Sequence, residues 1–345
     1  MKFIKELISH KNLAKELNGK PRKITNTQGV ELLGYIPEEF VKAALLLSNK
    51  YITLNFDGYI ALAYDMKAAL DVNISAVDFL HALFKNYKSD GRGVYNVLID
   101  IYSKYFDIDK KELENYLETV DSVYAGNWER IVPDEDKLTE ALLSEFYNSL
   151  PEWSAATSLK GFKEQNPLGL AYKSLPIALM SNPSLNIKNV FDYGGNDGLL
   201  TSALSNCTTG RVTLIEFNKR LLNLAKYKDE ALNINNVNYV SVDELTSSAQ
   251  EHEGLYDLGC CFEVLEHAYD VEKTVKLIAS LIRKDGWLLM STSFALPMPS
   301  HLKKNIKYDG PLFHQLMSEY GFVQVEPSGF PIPLLNNMFM FKKVI

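Results

Sequence analysis

The C-terminal half of the sequence predicts an α/β fold built on an open, mostly parallel sheet. Three observations support this fold class. An apolar run at 187–191 leads through a glycine-rich turn into a helical pattern, a β-branched run at 211–216 ends in a carboxylate, and strand patterns recur at 237–242 and 256–262. Ligands of such sheets lie outside the carboxyl ends of the strands. The turn after residue 191 is therefore the first place where a binding site is expected.

That turn carries the motif Asp192-x-Gly194-x-Asn196-x-Gly198. Glycine is needed where the backbone turns sharply and approaches a ligand without a Cβ atom in the way. A dinucleotide-binding turn would place glycines at 194, 196 and 199, whereas positions 196 and 199 hold Asn and Leu. The motif instead resembles the first motif of the class I S-adenosylmethionine-dependent methyltransferases, acid-x-Gly-x-Gly-x-Gly, with Asn196 at the position of the middle glycine.

The resemblance covers about residues 165–345 and keeps the order of the family's motifs. The Val-Leu-Glu-His sequence that ends at His267 is common after the fourth strand of this family, and a Lys-Asp-Gly turn precedes the fifth strand pattern at 287–291. Two last strand patterns, at 322–325 and 338–344, match the antiparallel pair at the sheet edge. The resemblance implies a Rossmann-like seven-stranded methyltransferase sheet with S-adenosyl-L-methionine as cofactor.

The resemblance also implies cofactor-binding roles at the strand ends. Glu216 is expected to accept the two ribose hydroxyls, with charge-assisted bonds of roughly 1.5–3 kcal/mol each. Asp243, with Glu244 beside it as a competitor, is expected to accept from the adenine amino group. The expected cofactor-binding set comprises Asp192, Gly194, Gly195, Asn196, Gly198, Glu216, Phe217, Asp243, Glu244, Phe262 and Glu263.

Two histidines are candidates for a catalytic base. His301 lies in a proline-punctuated apolar loop after the fifth strand pattern, and His267 ends the Val-Leu-Glu-His sequence. A base is required only if the acceptor is protonated at neutral pH, as a hydroxyl is. Methyl transfer from a sulfonium requires no metal, and the sequence has no Cys-x-x-Cys pair or dense histidine cluster, so no metal site is expected.

The expected activity is methyl transfer to an oxygen or nitrogen of a small or medium-sized metabolite. Two alternatives remain open. The Gly-x-Asn-Asp-Gly segment also resembles sugar C-methyltransferases acting on nucleotide-linked deoxysugars, although their cysteine-rich N-terminal zinc module has no counterpart before Cys207. A protein that binds the cofactor without catalysis, as a partner or regulatory subunit, is the other alternative.

The first 150 residues are expected to form a separate, mainly α-helical domain that carries a β-hairpin. Alternating runs at 51–56 and 59–64 flank Asp57-Gly58, a strong hairpin signal. Helices are expected at 37–48, 75–87, 93–106, 110–120 and 136–150, with a connection at 121–135. Residues 151–169 are expected to be a linker and residues 170–345 the methyltransferase domain. The first domain would shape the acceptor pocket, mediate homodimerisation, or both.

Composition sets limits on partners and location. The chain has 345 residues, 46% hydrophobic and 23% charged, as is ordinary for a globular protein. Its net charge of −7 argues against a nucleic-acid partner. No apolar stretch approaches the roughly 20 residues of a membrane span, and three cysteines make no disulfide framework. A cytoplasmic protein that acts on a small-molecule acceptor, without stable membrane insertion, is expected.

The first 23 residues carry seven Lys or Arg and two Glu, with apolar residues at helical spacing. Such a basic amphipathic helix packs on its own domain or contacts a membrane surface or an acidic partner. We expect this helix to pack on its own domain.

Overall fold

The computed structural model describes residues 21–25, 31–35, 93–163, 175–177, 179–180, 182–325 and 337–345. Within the first two ranges, strands β1 (Pro21–Thr25) and β2 (Glu31–Tyr35) form an antiparallel pair in which Pro21 lies opposite Tyr35. The sequence did not predict this pair, and residues 21–23 were expected in the basic helix. The hairpin predicted at 51–64 and the helices predicted at 37–48 and 75–87 lie outside the described residues.

A seven-stranded sheet with strand order β5-β4-β3-β6-β7-β9-β8 forms the C-terminal half of the chain. Its members are β3 (Val190–Tyr193), β4 (Val212–Glu216), β5 (Val237–Ser241), β6 (Tyr256–Phe262), β7 (Ile282–Thr292), β8 (Phe322–Gln324) and β9 (Asn337–Lys343). The first five are parallel to their neighbours, whereas β9 runs antiparallel to β7 and to β8. The predicted fold class and the antiparallel edge pair are confirmed.

The strand order reverses at β3, since β4 and β5 lie on one side of it and β6 and β7 on the other. In open α/β sheets the crevice at such a reversal, at the carboxyl ends of the strands, is where ligands bind. The turn after β3 and the turn after β6 both open onto this crevice. The strand order therefore brings the predicted glycine-rich motif and the predicted Val-Leu-Glu-His sequence to the same edge of the sheet.

Successive side chains of a strand point to opposite faces of the sheet. Both faces therefore carry apolar side chains, and helices bury them on each side. Val190 and Cys260 belong to one buried cluster, and Phe191 and Cys261 to the other. The helices of this half are α5 (Leu199–Leu204), α6 (Lys219–Ala231), α7 (Val242–Ser247), α8 (Ala249–His252), α9 (Val271–Leu281) and α10 (Pro311–Glu319). None of the helices in the described ranges combines the length and apolar character that a membrane span requires.

Helices described before the sheet include α1 (Gly93–Phe106), α2 (Lys110–Ile131), α3 (Glu140–Ser149) and α4 (Ser158–Lys163). The prediction of α1 is confirmed. The prediction that a helix ends at Val120 and is followed by a connection is wrong, because α2 continues through Gly126 to Ile131. Val120 and Ile131 are buried, so the apolar face continues. A Cβ atom at Gly126 would meet nothing within 4 Å, and only helix propensity disfavours glycine there.

The predicted linker at 151–169 is not a free connection over its first part. Residues Glu152–Ala156 form a 3₁₀ turn, and α4 follows directly. Ala156 and Leu159 are fully buried in the same cluster as Tyr102 of α1 and Val190 of β3. Apolar burial against the sheet therefore fixes this segment. The division of the chain into domains at residues 150 and 170 stays a prediction.

A buried ion pair within α6 is hydrogen-bonded to the start of α5. The Lys228 ammonium lies 2.8 Å from the Asp229 carboxylate, and neither side chain is more than 1% exposed. Lys228 also donates to the backbone oxygen of Gly198 at 3.1 Å and to the Ser202 hydroxyl. Asp229 accepts from Ser202 at 2.6 Å and from Tyr239 at 2.8 Å. Because both charges are buried, each depends on the other for compensation.

Replacing Lys228 tests this dependence. Lys228→Met keeps most of the volume but leaves the Asp229 charge buried without its partner, so we expect a loss of roughly 3–5 kcal/mol in the free energy of unfolding. Denaturant unfolding of the full chain measures the change. Lys226→Met, at an exposed position of the same helix, should change it by less than about 0.5 kcal/mol. Equal small losses in the two variants would show that the pair is not required.

Candidate active site

The turn between β3 and α5 has a left-handed backbone at three of five positions. The φ angles are +70° at Gly194, +57° at Asn196 and +72° at Gly198. Glycine adopts such angles without strain, and asparagine adopts them more readily than most other residues. This explains why asparagine is tolerated at position 196, where the methyltransferase motif that the turn resembles has glycine. The motif pattern is preserved in its backbone geometry although one of its glycines is replaced.

The turn lies in close contact with the sheet and with the loop after β6. A Cβ atom at Gly194 would lie 2.4 Å from Cγ2 of Val264, and one at Gly195 would lie 2.5 Å from Oδ2 of Asp192. Neither glycine can be replaced without moving a neighbour. Val264 therefore joins the turn directly to the segment that carries Glu266 and His267.

Asp192 is 2% exposed at the end of β3. Its Oδ2 accepts a hydrogen bond from the Thr201 hydroxyl at 2.8 Å, which fixes α5 against the strand. The structure thus places Asp192 beneath the turn as a support for the helix. Its role toward a cofactor stays a prediction.

Glu216 ends β4, and its carboxylate holds two loops at once. Oε2 accepts from the backbone N–H of Asn196 and Oε1 from that of Asn218, both at 3.0 Å. Burial raises the pKa of Glu216 to about 7, and the charge of Asp192 adds to this effect, while the backbone N–H groups oppose it. Each carboxylate oxygen keeps a second lone pair, with which it can accept from a ribose hydroxyl.

The side chain of Asn196 also indicates that the turn fits a polar ligand. Its Oδ1 atom is buried and has no hydrogen-bond partner in the described part of the chain. An unsatisfied buried acceptor costs about 1–3 kcal/mol, and a donor on a bound ligand would remove that cost. The turn therefore fits a polar cofactor that lies across residues 194–198.

The remaining predicted cofactor residues lie at the ends of β4, β5 and β6. Phe217 is 47% exposed, with its ring 6.3 Å from that of Tyr147. Asp243 is exposed in the first turn of α7. Phe262, half-buried at the end of β6, packs against the core beneath the sheet. Their positions are compatible with the predicted contacts, which stay predictions.

Glu244 is occupied within its own helix. Its carboxylate accepts from the backbone N–H of Ser241 at 2.9 Å and from the Ser241 hydroxyl at 2.8 Å, while its N–H donates to that hydroxyl. This reciprocal capping arrangement stabilises the N-terminus of α7. Both bonds to the carboxylate use Oε2, and the expectation that Glu244 competes with Asp243 for the adenine stays a prediction.

Glu263 follows β6 with φ of +54°, an unusual backbone for a residue other than glycine. Its N–H bonds to the backbone oxygen of Ser291 at 3.2 Å, and its carboxylate accepts from the hydroxyls of Ser291 and Ser293. These contacts hold the carboxylate toward the end of β7. Glu263 thus lies on the side of the crevice where the loop after β7 carries His301.

The structure brings His267 and His301 together although they are far apart in the sequence. Their rings meet edge to face with centroids 4.6 Å apart. Nδ1 of His267 lies 3.1 Å from the Ser300 carbonyl oxygen, and Nδ1 of His301 lies 2.9 Å from that of Leu296. Because a carbonyl only accepts, each Nδ1 carries the proton and each Nε2 keeps a free lone pair. Burial lowers the pKa of His267 to about 4 and also lowers the pKa of His301.

Glu266 completes this group, and the sequence analysis did not include it. It is fully buried, and its Oε1 accepts from the N–H of Ser293 at 3.2 Å. Burial, the charge of Glu263 and a side-chain hydrogen bond with Glu263 raise the pKa of Glu266. One ligand atom from each of Glu266, His267 and His301 lies within 4.8 Å of the others. The adjacency of Glu266 and His267 was visible in the sequence, but their proximity to His301 was not.

Two tyrosines from the preceding helices reach the same crevice. The hydroxyl of Tyr124, on α2, lies 2.7 Å from the Ser300 hydroxyl, which is itself 2.9 Å from Nδ1 of His267. Burial raises the pKa of Tyr124 and of Tyr147, which lies on α3 near Tyr124. The sequence analysis missed both residues because their contacts depend on how the helices pack against the sheet.

Comparisons with known proteins agree with this geometry. Residues 160–325 match the family described as "Methyltransferase domain". A ubiquinone biosynthesis O-methyltransferase of Coxiella burnetii (strain Dugway 5J108-111) is 30% identical over 165 residues, which are 47% of this chain and 65% of that protein. The one of Nitrosospira multiformis is 31% identical over 141 residues, 41% of this chain and 55% of that protein. The chain thus spans less than two thirds of the length of these relatives.

Two solved structures illustrate the structural similarity. A SAM-dependent methyltransferase from Aquifex aeolicus has a TM-score of 0.36 at 15% identity, over 49% of this chain and 89% of that one. The CurJ carbon methyltransferase has a TM-score of 0.38 at 13% identity, over 69% and 72% of the two chains.

The fold, the glycine-rich turn and the family match define the C-terminal half as a methyltransferase domain. Over residues 160–325 the chain is similar to this family of methyltransferase domains. The predicted class of protein and the predicted cofactor, S-adenosyl-L-methionine, are confirmed for this half of the chain.

Replacing Glu216 tests its expected role in binding the ribose. Glu216→Gln removes the charge and one of the two acceptor oxygens but keeps the shape, so affinity for S-adenosylhomocysteine should fall roughly 30- to 100-fold, about 2–3 kcal/mol. Calorimetry on the full chain measures the dissociation constant. Glu230→Gln, at an exposed position of α6, is the matched control. Unchanged affinity in Glu216→Gln would remove Glu216 from the cofactor site.

The raised pKa of Glu216 predicts a pH dependence of cofactor binding. The ionised carboxylate accepts the ribose hydroxyls better than the protonated form, and its pKa in the free protein is about 7. Affinity for S-adenosylhomocysteine should therefore fall as the pH is lowered through 7, by up to about tenfold between pH 8 and pH 6. The dependence should flatten in Glu216→Gln. An affinity that rises toward pH 6 in the wild type would contradict the assignment.

Proposed function

We propose that the chain is an S-adenosylmethionine-dependent methyltransferase that acts on a hydroxyl oxygen of a small or medium-sized molecule. The observation that carries this proposal is the contact between Gly194 and Val264. Through it, the cofactor turn lies against the segment that presents Glu266 and His267. A methyl donor held by the turn and an acceptor held at this cluster would therefore be neighbours.

An oxygen acceptor is favoured by two features. The two imidazoles are neutral at neutral pH because burial lowers their pKa values, so each Nε2 can receive a proton or bind a cation. An acceptor that arrives protonated needs such groups, whereas a neutral amine does not. The curated relatives are also named O-methyltransferases, which supports the same choice within the shared segment.

Different residues around the crevice would hold the cofactor and the acceptor. S-adenosylmethionine, when bound, supplies a methyl group already activated on a sulfonium. Asn196 and Glu216 would hold its polar groups, and the glycines would allow it to approach the backbone. Glu263, Glu266, His267 and His301 would hold the acceptor hydroxyl in line with the methyl carbon. Positioning of this kind can supply on the order of 7–11 kcal/mol of the barrier.

The chemistry is a single displacement. The acceptor hydroxyl would pass its proton to Nε2 of His301, and an oxygen lone pair would form the new bond to the methyl carbon. The carbon–sulfur bond would break at the same time, with its electron pair left on sulfur. The products are the methyl ether and S-adenosylhomocysteine.

The cytoplasmic location and the expected partners are also proposals. Cys260 and Cys261 are fully buried thiols, and burial raises the pKa of both, which supports a reducing, cytoplasmic location. A homodimer formed through the first domain and the absence of a nucleic-acid partner stay predictions.

Binding and turnover together test the proposed function. The full chain should bind S-adenosylhomocysteine. It should also form S-adenosylhomocysteine from S-adenosylmethionine when phenolic or aliphatic hydroxyl compounds are supplied as acceptors. Binding without turnover on any acceptor would favour the non-catalytic alternative. Transfer to carbon of a nucleotide-linked sugar would favour the C-methyltransferase alternative. Failure to bind the cofactor product would overturn the proposal.

The histidine pair gives a more specific prediction. His301→Ala should lower turnover about 10²–10⁴-fold while the dissociation constant for S-adenosylhomocysteine stays within about twofold. Steady-state kinetics and calorimetry measure the two quantities. His314→Ala, exposed on α10, is the matched control and should behave as the wild type. Near-normal turnover in His301→Ala would remove this residue from the reaction.

A further inference from the structure

We propose that Tyr102 and Ser158 are positioning residues for S-adenosylmethionine, because through Asp197 they hold the glycine-rich turn in the shape that receives the cofactor. Asp197 lies at an unspecified position of the glycine-rich motif and is not among the predicted site residues. The inference rests on the cofactor and not on the identity of the acceptor. It gives helices that precede the family match a share in cofactor binding.

Asp197 lies between two residues with a left-handed backbone. The φ angles are +57° at Asn196 and +72° at Gly198. Such angles are sparsely populated by residues other than glycine, and they persist where the surroundings hold them. A contact made by the side chain at position 197 therefore acts on the turn between its two left-handed residues.

The carboxylate of Asp197 is bound by two helices at once. Asp197 is 1% exposed, and its Oδ2 accepts one hydrogen bond from the Tyr102 hydroxyl of α1 and another from the Ser158 hydroxyl of α4. Hydrogen bonds to a carboxylate are stronger than those between neutral groups. A buried carboxylate that loses its donors keeps the full cost of its desolvation. The position of the turn thus depends on both hydroxyls.

Packing fixes the two donors in place. Tyr102 is fully buried in the cluster that also contains Leu199 and Leu200 of α5, the helix that follows the turn. Ser158 is followed by Leu159, which is fully buried in the same cluster. Because protein interiors are close-packed, neither hydroxyl can follow the carboxylate if the turn relaxes. The helices are therefore a fixed support for the turn.

The two neighbours of Asp197 are anchored from within the family domain. The N–H of Asn196 donates to Glu216, and the oxygen of Gly198 accepts from Lys228. The anchor at position 197 differs, since both of its donors precede residue 160, where the family match begins. Side chains outside the family domain thus complete the support of the cofactor turn.

A turn that is less well held binds the cofactor more weakly. Binding to a preorganised surface avoids the cost of ordering it first. When only a fraction of the molecules has the binding-competent shape, the observed dissociation constant rises in inverse proportion to that fraction. A lost donor that leaves about a tenth of the molecules with an ordered turn would therefore weaken binding about tenfold.

Calorimetry with S-adenosylhomocysteine on the full chain tests the inference. Tyr102→Phe and Ser158→Ala each remove one hydroxyl donor, and each should weaken binding about five- to tenfold. Ser158→Thr keeps a hydroxyl and should restore affinity to within about twofold of the wild type. Tyr95→Phe is the matched control, because the Tyr95 hydroxyl, also on α1, donates at 2.7 Å to a carboxylate away from the turn, that of Glu114 on α2.

A double-mutant cycle separates positioning through Asp197 from a general loss of stability. Asp197→Ala removes the carboxylate, so adding Tyr102→Phe should cause no further loss of affinity. An effect of Tyr102→Phe that persists in this background would show that Tyr102 acts by another route. If Asp197→Ala fails to fold by circular dichroism, hydrogen exchange decides instead. The amides of residues 194–198 should then exchange faster in Tyr102→Phe and not in Tyr95→Phe.

The outcomes separate this inference from the proposed function. Losses in Tyr102→Phe and Ser158→Ala, with Tyr95→Phe unchanged, support the inference. Affinity within twofold of the wild type in either of the first two variants would overturn the role of that residue, and an equal loss in Tyr95→Phe would overturn both roles. Failure of the wild type to bind S-adenosylhomocysteine would overturn the proposed function together with this inference, whereas wild-type binding with unchanged variants overturns this inference alone.

Discussion

The backbone turn at residues 194–198 is held in place by two buried ionisable side chains, one from strand β4 and one from helix α6. Glu216 of β4 accepts from the N–H of Asn196, and Lys228 of α6 donates to the oxygen of Gly198. Both side chains are buried, so each hydrogen bond also relieves the cost of a buried charge. The left-handed angles of the turn persist because the surroundings fix them from two sides. The cofactor crevice, the start of α5 and the contact with Val264 all depend on this arrangement.

Much of the sheet could be predicted because its signals are local. β4 reads as a β-branched run that ends in Glu216, and β6 reads as an apolar run before Glu263, so each strand and the residue at its carboxyl end are visible together. Parallel order then places these ends on one edge. The glycines of the turn are equally local, because positive φ angles at Gly194 and Gly198 limit which residues can stand there.

Other features could not be predicted because they depend on packing between distant segments. His267 and His301 meet only after β7 has placed the loop that carries His301 beside the turn after β6. The extension of α2 beyond Val120 follows from burial of Ile131, which the glycine at 126 concealed in the sequence. The capping box that Ser241 and Glu244 form was not predicted, because Glu244 was considered only as a residue that follows a strand.

The helices before the family domain take part in the site, and this bears on how an acceptor is chosen. Asp197, within the cofactor turn, accepts hydrogen bonds from Tyr102 of α1 and Ser158 of α4. Tyr124 of α2 reaches Ser300, which in turn contacts His267. Most of these helical residues precede residue 160, where the family match begins. Helices that precede the family match therefore contact both the glycine-rich turn and the segment that carries His267. These contacts support the proposal that the helical segment shapes the space around the acceptor.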